Sequence, residues 1–117
     1  MSTMTNDPLR DLIRSTLDFY NRFGWQPLTP DAIRVFEEEV REVKEAATDG
    51  TNKDHIAEEA ADVIVTLISV CQASGVDPER LIDQLYAVIA KNNAKNHDTH
   101  VYTDGKIRRR VPKPPTS

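Results

Sequence analysis

One cysteine, one tryptophan and four glycines in 117 residues exclude several kinds of protein at once. Cys71 has no intrachain disulfide partner and lies inside the apolar run VIVTLISVC, so it reads as a small core residue and not as a nucleophile. No apolar stretch approaches the roughly 18 residues a membrane span needs. The opening MSTMTNDPLRD has no apolar signal-peptide core, and a soluble, cytoplasmic protein is expected. Strand signals are nearly absent too, because the β-branched run VIVTLISV continues a helical pattern without turn residues. A chain this short supports one domain over residues 1–117, near the size at which partner subunits often complete the core.

Charge is unevenly spread. Residues 1–90 carry 8 Lys and Arg against 17 Asp and Glu, whereas residues 91–117 carry 7 against 2. An acidic body repels a polyanion, which argues against duplex nucleic acid; it leaves room for a small anion whose cations sit on the acidic part.

Helix punctuation is clear along the chain. Asp7-Pro8 opens a first helix as N-cap and first helical residue, and Gly24 stops it. Thr29-Pro30 opens a second by the same logic, running to about Thr48 before Asp49-Gly50. A third begins near Lys53 or Asp54 and ends at Gly75, and Asp77-Pro78 caps a fourth that continues to about Asn96. The expectation is an all-α, four-helix bundle over about residues 8–96, with a polar basic tail from about 97 to 117.

Two acid pairs share one spacing: Glu39 and Glu42 in FEEEVREVKEA, then Glu59 and Asp62 in IAEEAADVIVTL, with Glu38 and Glu58 one residue upstream. At about 100° per residue, Glu39 lies about 60° and Glu42 about 120° from Phe36, which with Ile33, Val40 and Val43 marks the core face. Glu38 sits at the rim, while Glu45 and Glu37 point away. The third helix repeats the pattern with Ile56, Val63 and Leu67 on the core face and Glu59 and Asp62 beside it. Asp62 precedes Val63, Ile64 and Val65, so apolar side chains are expected around its carboxylate, where a charge needs a partner.

A run such as EEEVREVKE is ordinarily a solvated face, and an i,i+4 pair of Glu37 with Arg41 fits that account. Repetition of the acid pair on a more apolar helix argues otherwise. Packed side by side, the two helices bring together four or five carboxylates whose repulsion calls for bound cations. A di-iron bundle needs Glu-x-x-His on two helices, which this chain lacks. His55 precedes its neighbouring acids, His97 and His100 lie past the fourth helix, and an oxygen-only shell favours Mg²⁺, with Mn²⁺ as a possible substitute, over zinc.

Glu38-Glu39-x-x-Glu42 followed by Glu59-x-x-Asp62 and an apolar run resembles the signature of the all-α nucleoside triphosphate pyrophosphohydrolases, the MazG-like superfamily. Asn92-Asn93-Ala94-Lys95 is similar to that group's Asn-x-x-Lys. Asp104-Gly105-Lys106 resembles the Asp-Gly-Lys turn of the phosphoribosyl-ATP pyrophosphatase-like branch, as does the opening helix with Phe19, Phe23 and Gly24. The resemblance spans roughly residues 8–110.

It implies hydrolysis of a nucleoside triphosphate, or a related phosphoanhydride, between the α and β phosphates. Glu38, Glu39, Glu42, Glu59 and Asp62 are then the metal ligands, Glu39 is the first choice as general base, and Asn92, Lys95 and Lys106 face the substrate. Trp25, with Tyr20 and Phe23, offers a stacking surface for a base. The resemblance also implies a homodimer or homotetramer. The alternative is a non-catalytic helical module that senses a nucleotide or binds a protein. The residues do not separate one base or sugar from another.

Overall fold

The caps set the element boundaries. In the computed structural model, which describes residues 4–111, Asp7 accepts a hydrogen bond from the Arg10 amide at 3.2 Å and Pro8 starts α1 (Pro8–Arg22). At the other end Gly24 takes φ 63°, and the amides of Gly24 and Trp25 return to the carbonyls of Asn21 and Tyr20 at 3.0 and 3.1 Å. That is a Schellman stop, which a residue with a Cβ resists. Buried Asp11 accepts from the Thr5 amide at 2.8 Å and the Thr5 hydroxyl at 2.9 Å, tying the preceding segment to α1.

α2 (Thr29–Asp49) starts one residue earlier than expected. Leu28 is its N-cap and no side chain caps it. The Thr29 hydroxyl donates instead to the carbonyl of Ala73 at 3.0 Å, fastening the start of α2 to the end of α3 (Lys53–Ala73). Gly50, at φ 71°, closes α2 and Asn52 caps α3 by accepting from the His55 amide at 3.0 Å. The result is a tight antiparallel helix pair, with α3 also touching α1.

Packing rotates α2 from the orientation expected of it. Ala32 is buried, and Val35, Phe36, Glu39, Val40, Val43 and Ala46 are half-buried, so of the expected core face only Ile33, 39% exposed, falls outside. The buried stripe therefore runs through Glu39 instead of beside it. On α3 the buried residues are Thr66, Ile68 and Ser69, while Ile64 and Leu67 are both 47% exposed, so Leu67 is not on the core face of the single chain. Arg41 pairs with Glu45 at 4.0 Å, and the expected Glu37 partner is not the one it takes.

The chain divides into two units within α4 (Pro78–Asn93), between Ile82 and Asp83. In the first, Ile82 is buried, and Glu79 binds Arg10 and Arg14 of α1. The second holds the rest of α4, which ends at Asn93 and not at Asn96, followed by a turn in which the Asn96 side chain accepts from the Asp98 amide at 2.8 Å. There residues 100–109 of the expected polar tail form an antiparallel hairpin, β1 (His100–Thr103) with β2 (Lys106–Arg109), paired from His100–Arg109 to Thr103–Lys106, while its last six residues, 112–117, lie outside the described residues. Asp104 at φ 52° and Gly105 at φ 75° supply the two left-handed residues of a type I′ turn. The helices nevertheless make up nearly all the regular structure, and the fold is all-α. Among the described residues no helix is long and apolar enough to cross a membrane.

Candidate metal centre

The antiparallel α2–α3 pair places the second turn of one acid motif opposite the first of the other. Carboxylate oxygens of Glu39, Glu42 and Glu59 lie within 4.8 Å of one another. Glu39 Oε2 and Glu59 Oε2 are buried and have no hydrogen-bond partner. A buried carboxylate oxygen without a donor is costly in a protein interior, and two of them beside a third carboxylate more so.

Proton affinities follow that geometry. Burial pushes the Glu39 carboxyl above the usual glutamate range, and the charges of Glu42, Asp62 and Glu59 push it further. Burial also raises Glu59, as do Glu42 and Asp62, while His55 works in the opposite direction. The three-oxygen cluster with orphaned buried atoms fits a hard divalent cation, which takes oxygen donors and supplies the missing positive charge.

The other acids stand differently. Asp62 acts electrostatically on Glu39 and Glu59 but is exposed, so the apolar surroundings expected of its carboxylate are not those the chain gives it. Glu38 is turned toward Arg34, 3.2 Å away, outside the three-carboxylate group. Glu37 and Glu45 are exposed.

Trp25 is half-buried and stacks on Tyr20, with ring centroids 4.2 Å apart. Both line a cavity of about 390 Å³ with Asp31, Ala32, Val35 and Ser69. Phe23 is 74% exposed and stands edge-on to Phe19 instead of joining that stack. Burial raises the Tyr20 phenol, with Ser69 working against it and the Glu39 charge adding to it.

In the second unit, Asn92 and Lys95 line a separate cavity of about 450 Å³ with Asn96, His100, Tyr102 and Ile107. Lys95 Nζ donates to Asn92 Oδ1 at 2.9 Å. Lys106 begins β2, exposed, and does not line that cavity.

His55, expected to stand apart from the acids, has its Nε2 3.8 Å from Glu59 Oε1. The signal was present as an i,i+4 spacing on one helix. Cys71 is half-buried, and burial raises its thiol, which keeps it protonated and unreactive.

Against this geometry, the family model described as phosphoribosyl-ATP pyrophosphohydrolase matches residues 28–88, just over half of the chain. That span contains all of α2 and α3 and so every acid of the cluster. No curated protein and no solved structure matches the chain.

Proposed function

The chain belongs to the phosphoribosyl-ATP pyrophosphohydrolase family, and from that premise we propose that it hydrolyses a nucleoside or deoxynucleoside triphosphate between the α and β phosphates, with Mg²⁺ as cofactor. Family membership supports pyrophosphohydrolase chemistry on a nucleotide. The observation that carries the reading to this chain is the meeting of Glu39, Glu42 and Glu59 with two buried, unpartnered oxygens.

Those three residues, with Asp62 beside them and Glu38 once released from Arg34, would hold the cations. Bound there, Mg²⁺ or Mn²⁺ supplies charge neutralisation for the phosphates and acidifies water. Glu39 is the proposed general base. In the metal-free chain its burial and its acidic neighbours raise its proton affinity, and its place in the buried stripe of α2 holds its carboxylate in position. It takes a proton from the attacking water as that oxygen bonds to the α phosphorus. The bond from the α phosphorus to the bridging oxygen breaks, and pyrophosphate leaves with the bonding pair. Lys95 and Lys106 are assigned to phosphate oxygens and Asn92 to sugar or phosphate. Trp25 is assigned to the base, with its indole already held by Tyr20.

Half-exposed Ile64 and Leu67 on α3 support assembly of this chain with further copies into a homodimer or homotetramer. The family's description favours one second reading, in which phosphoribosyl-ATP itself is the substrate.

A panel of nucleoside and deoxynucleoside triphosphates plus phosphoribosyl-ATP, assayed for pyrophosphate with and without Mg²⁺, tests both. Metal-dependent pyrophosphate release from triphosphates is the expected result. Turnover of phosphoribosyl-ATP alone favours the second reading, and no release from any member of the panel overturns both in favour of a non-catalytic module.

A further inference from the structure

We propose that the cavity between the α1–α2 connection and the last turn of α3 holds the base of the substrate, and that Gln72 is the side chain that reads its hydrogen-bonding edge. The inference rests on the reading that this chain acts on a nucleotide, and adds to it the place of the base and a residue that selects it.

The cavity measures about 430 Å³ and is lined by Trp25, Pro27 and Ala73 and by three carboxamides, those of Asn21, Gln26 and Gln72. That size suits a small molecule. No lysine, arginine, aspartate or glutamate lines it among the described residues, whereas the neighbouring cavity of about 390 Å³ includes Asp31 and Arg34. It therefore fits an uncharged part of a ligand and not its phosphates.

Tyr20 lies against one face of the Trp25 indole and lines only the 390 Å³ cavity, so the indole surface in the larger cavity is one that Tyr20 leaves open. A base can stack there. Around it the carboxamides offer donors and acceptors together, as the edge of a base does. Gln72 stands apart from the other two. Its Oε1 is buried without a hydrogen-bond partner, whereas every common base carries an N–H donor on its pairing edge. Rotation about the terminal side-chain bond turns that oxygen to the cavity, where a base satisfies an acceptor that the chain does not. Gln72 also stands ten residues beyond Asp62 on α3, about 15 Å along the axis, so an extended nucleoside triphosphate reaches from the acids to the cavity.

The chain has one tryptophan, so its fluorescence reports Trp25 alone. The test titrates the full chain, in Mg²⁺, with α,β-imido analogues of the four common deoxynucleoside triphosphates, which resist cleavage, and with inorganic tripolyphosphate, which has no base. The analogues should quench Trp25, and tripolyphosphate should bind without quenching. In Gln72→Met the affinity for the tightest-bound analogue should fall by about tenfold, the equivalent of about 1.4 kcal/mol, while calorimetry finds that for tripolyphosphate unchanged. The melting temperature of Gln72→Met should not fall, because the oxygen removed makes no hydrogen bond in the chain.

Analogue binding that leaves Trp25 fluorescence unchanged overturns the inference and leaves the pyrophosphohydrolase reading standing. So does an affinity that Gln72→Met leaves unchanged, or one that falls equally for tripolyphosphate. A lower melting temperature for Gln72→Met assigns its effect to packing and also overturns the inference. Absence of binding by every analogue overturns it too, and if natural nucleotides also release no pyrophosphate, the reading it rests on falls with it.

Discussion

Replacing Glu39 by Gln should stabilise the metal-free protein, although Glu39 sits in the buried stripe of α2. The carboxylates of Glu39 and Glu42 lie within 4.8 Å, and Glu39 Oε2 has no donor. At that separation two like charges repel by about 0.9 kcal/mol at the dielectric constant of water and about 3.5 kcal/mol at an effective value of about 20. Glu42 is exposed, so the lower figure applies, and removing one charge should yield about 1 kcal/mol. The new amide can also donate to a neighbouring carboxylate, which no group now does for Glu59 Oε2. For a chain of this size the gain corresponds to a rise in Tm of about 3–6 °C. The assay is a thermal melt at neutral pH in excess chelator, repeated with millimolar Mg²⁺. The unmodified chain should gain stability from Mg²⁺ by mass action, and Glu39→Gln should gain less. A lower Tm for Glu39→Gln in chelator would refute the claim that repulsion dominates this cluster.

Two further outcomes follow from the same geometry. Glu39 and Glu59 are both held above the usual value of 4.5, so the folded chain binds more protons than the unfolded one just above that pH. Metal-free stability should therefore fall as pH rises through that window and stay lower beyond it, whereas Glu79, held down mainly by its hydrogen bond from Arg10, contributes stability that is lost only below 4.5. Urea titrations across pH in chelator measure the slope, which saturating Mg²⁺ should flatten; because His100, held below its usual value of 6.5 mainly by burial, adds stability as pH rises, the comparison is with Glu39→Gln, and a slope that this substitution leaves unchanged contradicts the assignment. Asp62→Asn and Glu42→Gln should keep their helix signal and lose metal-dependent pyrophosphate release, whereas Glu45→Gln, at a site 72% exposed, should leave it unchanged. Equal rates for all three variants would sink the division of the acids into ligands and bystanders.

Local chemistry was legible in the sequence, and partner-dependent geometry was not. Asp7-Pro8, Gly24, Gly50 and Asp77-Pro78 act through their own dihedral angles and nearest amides, so they read directly as helix ends. Thr29 looked like the same device, but its hydroxyl goes to Ala73, 44 residues away, which no local rule supplies. The hairpin was missed because its strands have four residues each and β2 reads KIRR, charged where a buried strand alternates; only the Asp104-Gly105 turn announced it. The acid pairs could be found by spacing, yet apolar content alone set the α2 core face toward Ile33. Packing on α3 instead centres the stripe on Glu39, an arrangement that hydrophobicity argues against unless a cation completes it. His55 fits no metal motif in the sequence, although its nearness to Glu59 follows from one helical turn.

Turnover in ¹⁸O-labelled water, with the products resolved by mass spectrometry, shows whether water is directed to the α phosphorus of a nucleoside triphosphate. Attack there puts one ¹⁸O in the nucleoside monophosphate and leaves pyrophosphate intact and unlabelled. Labelled pyrophosphate places the attack on the β phosphorus, and orthophosphate with a nucleoside diphosphate places the cleavage at the outer bond; either rules out α-phosphorus attack even if the acids bind metal as proposed.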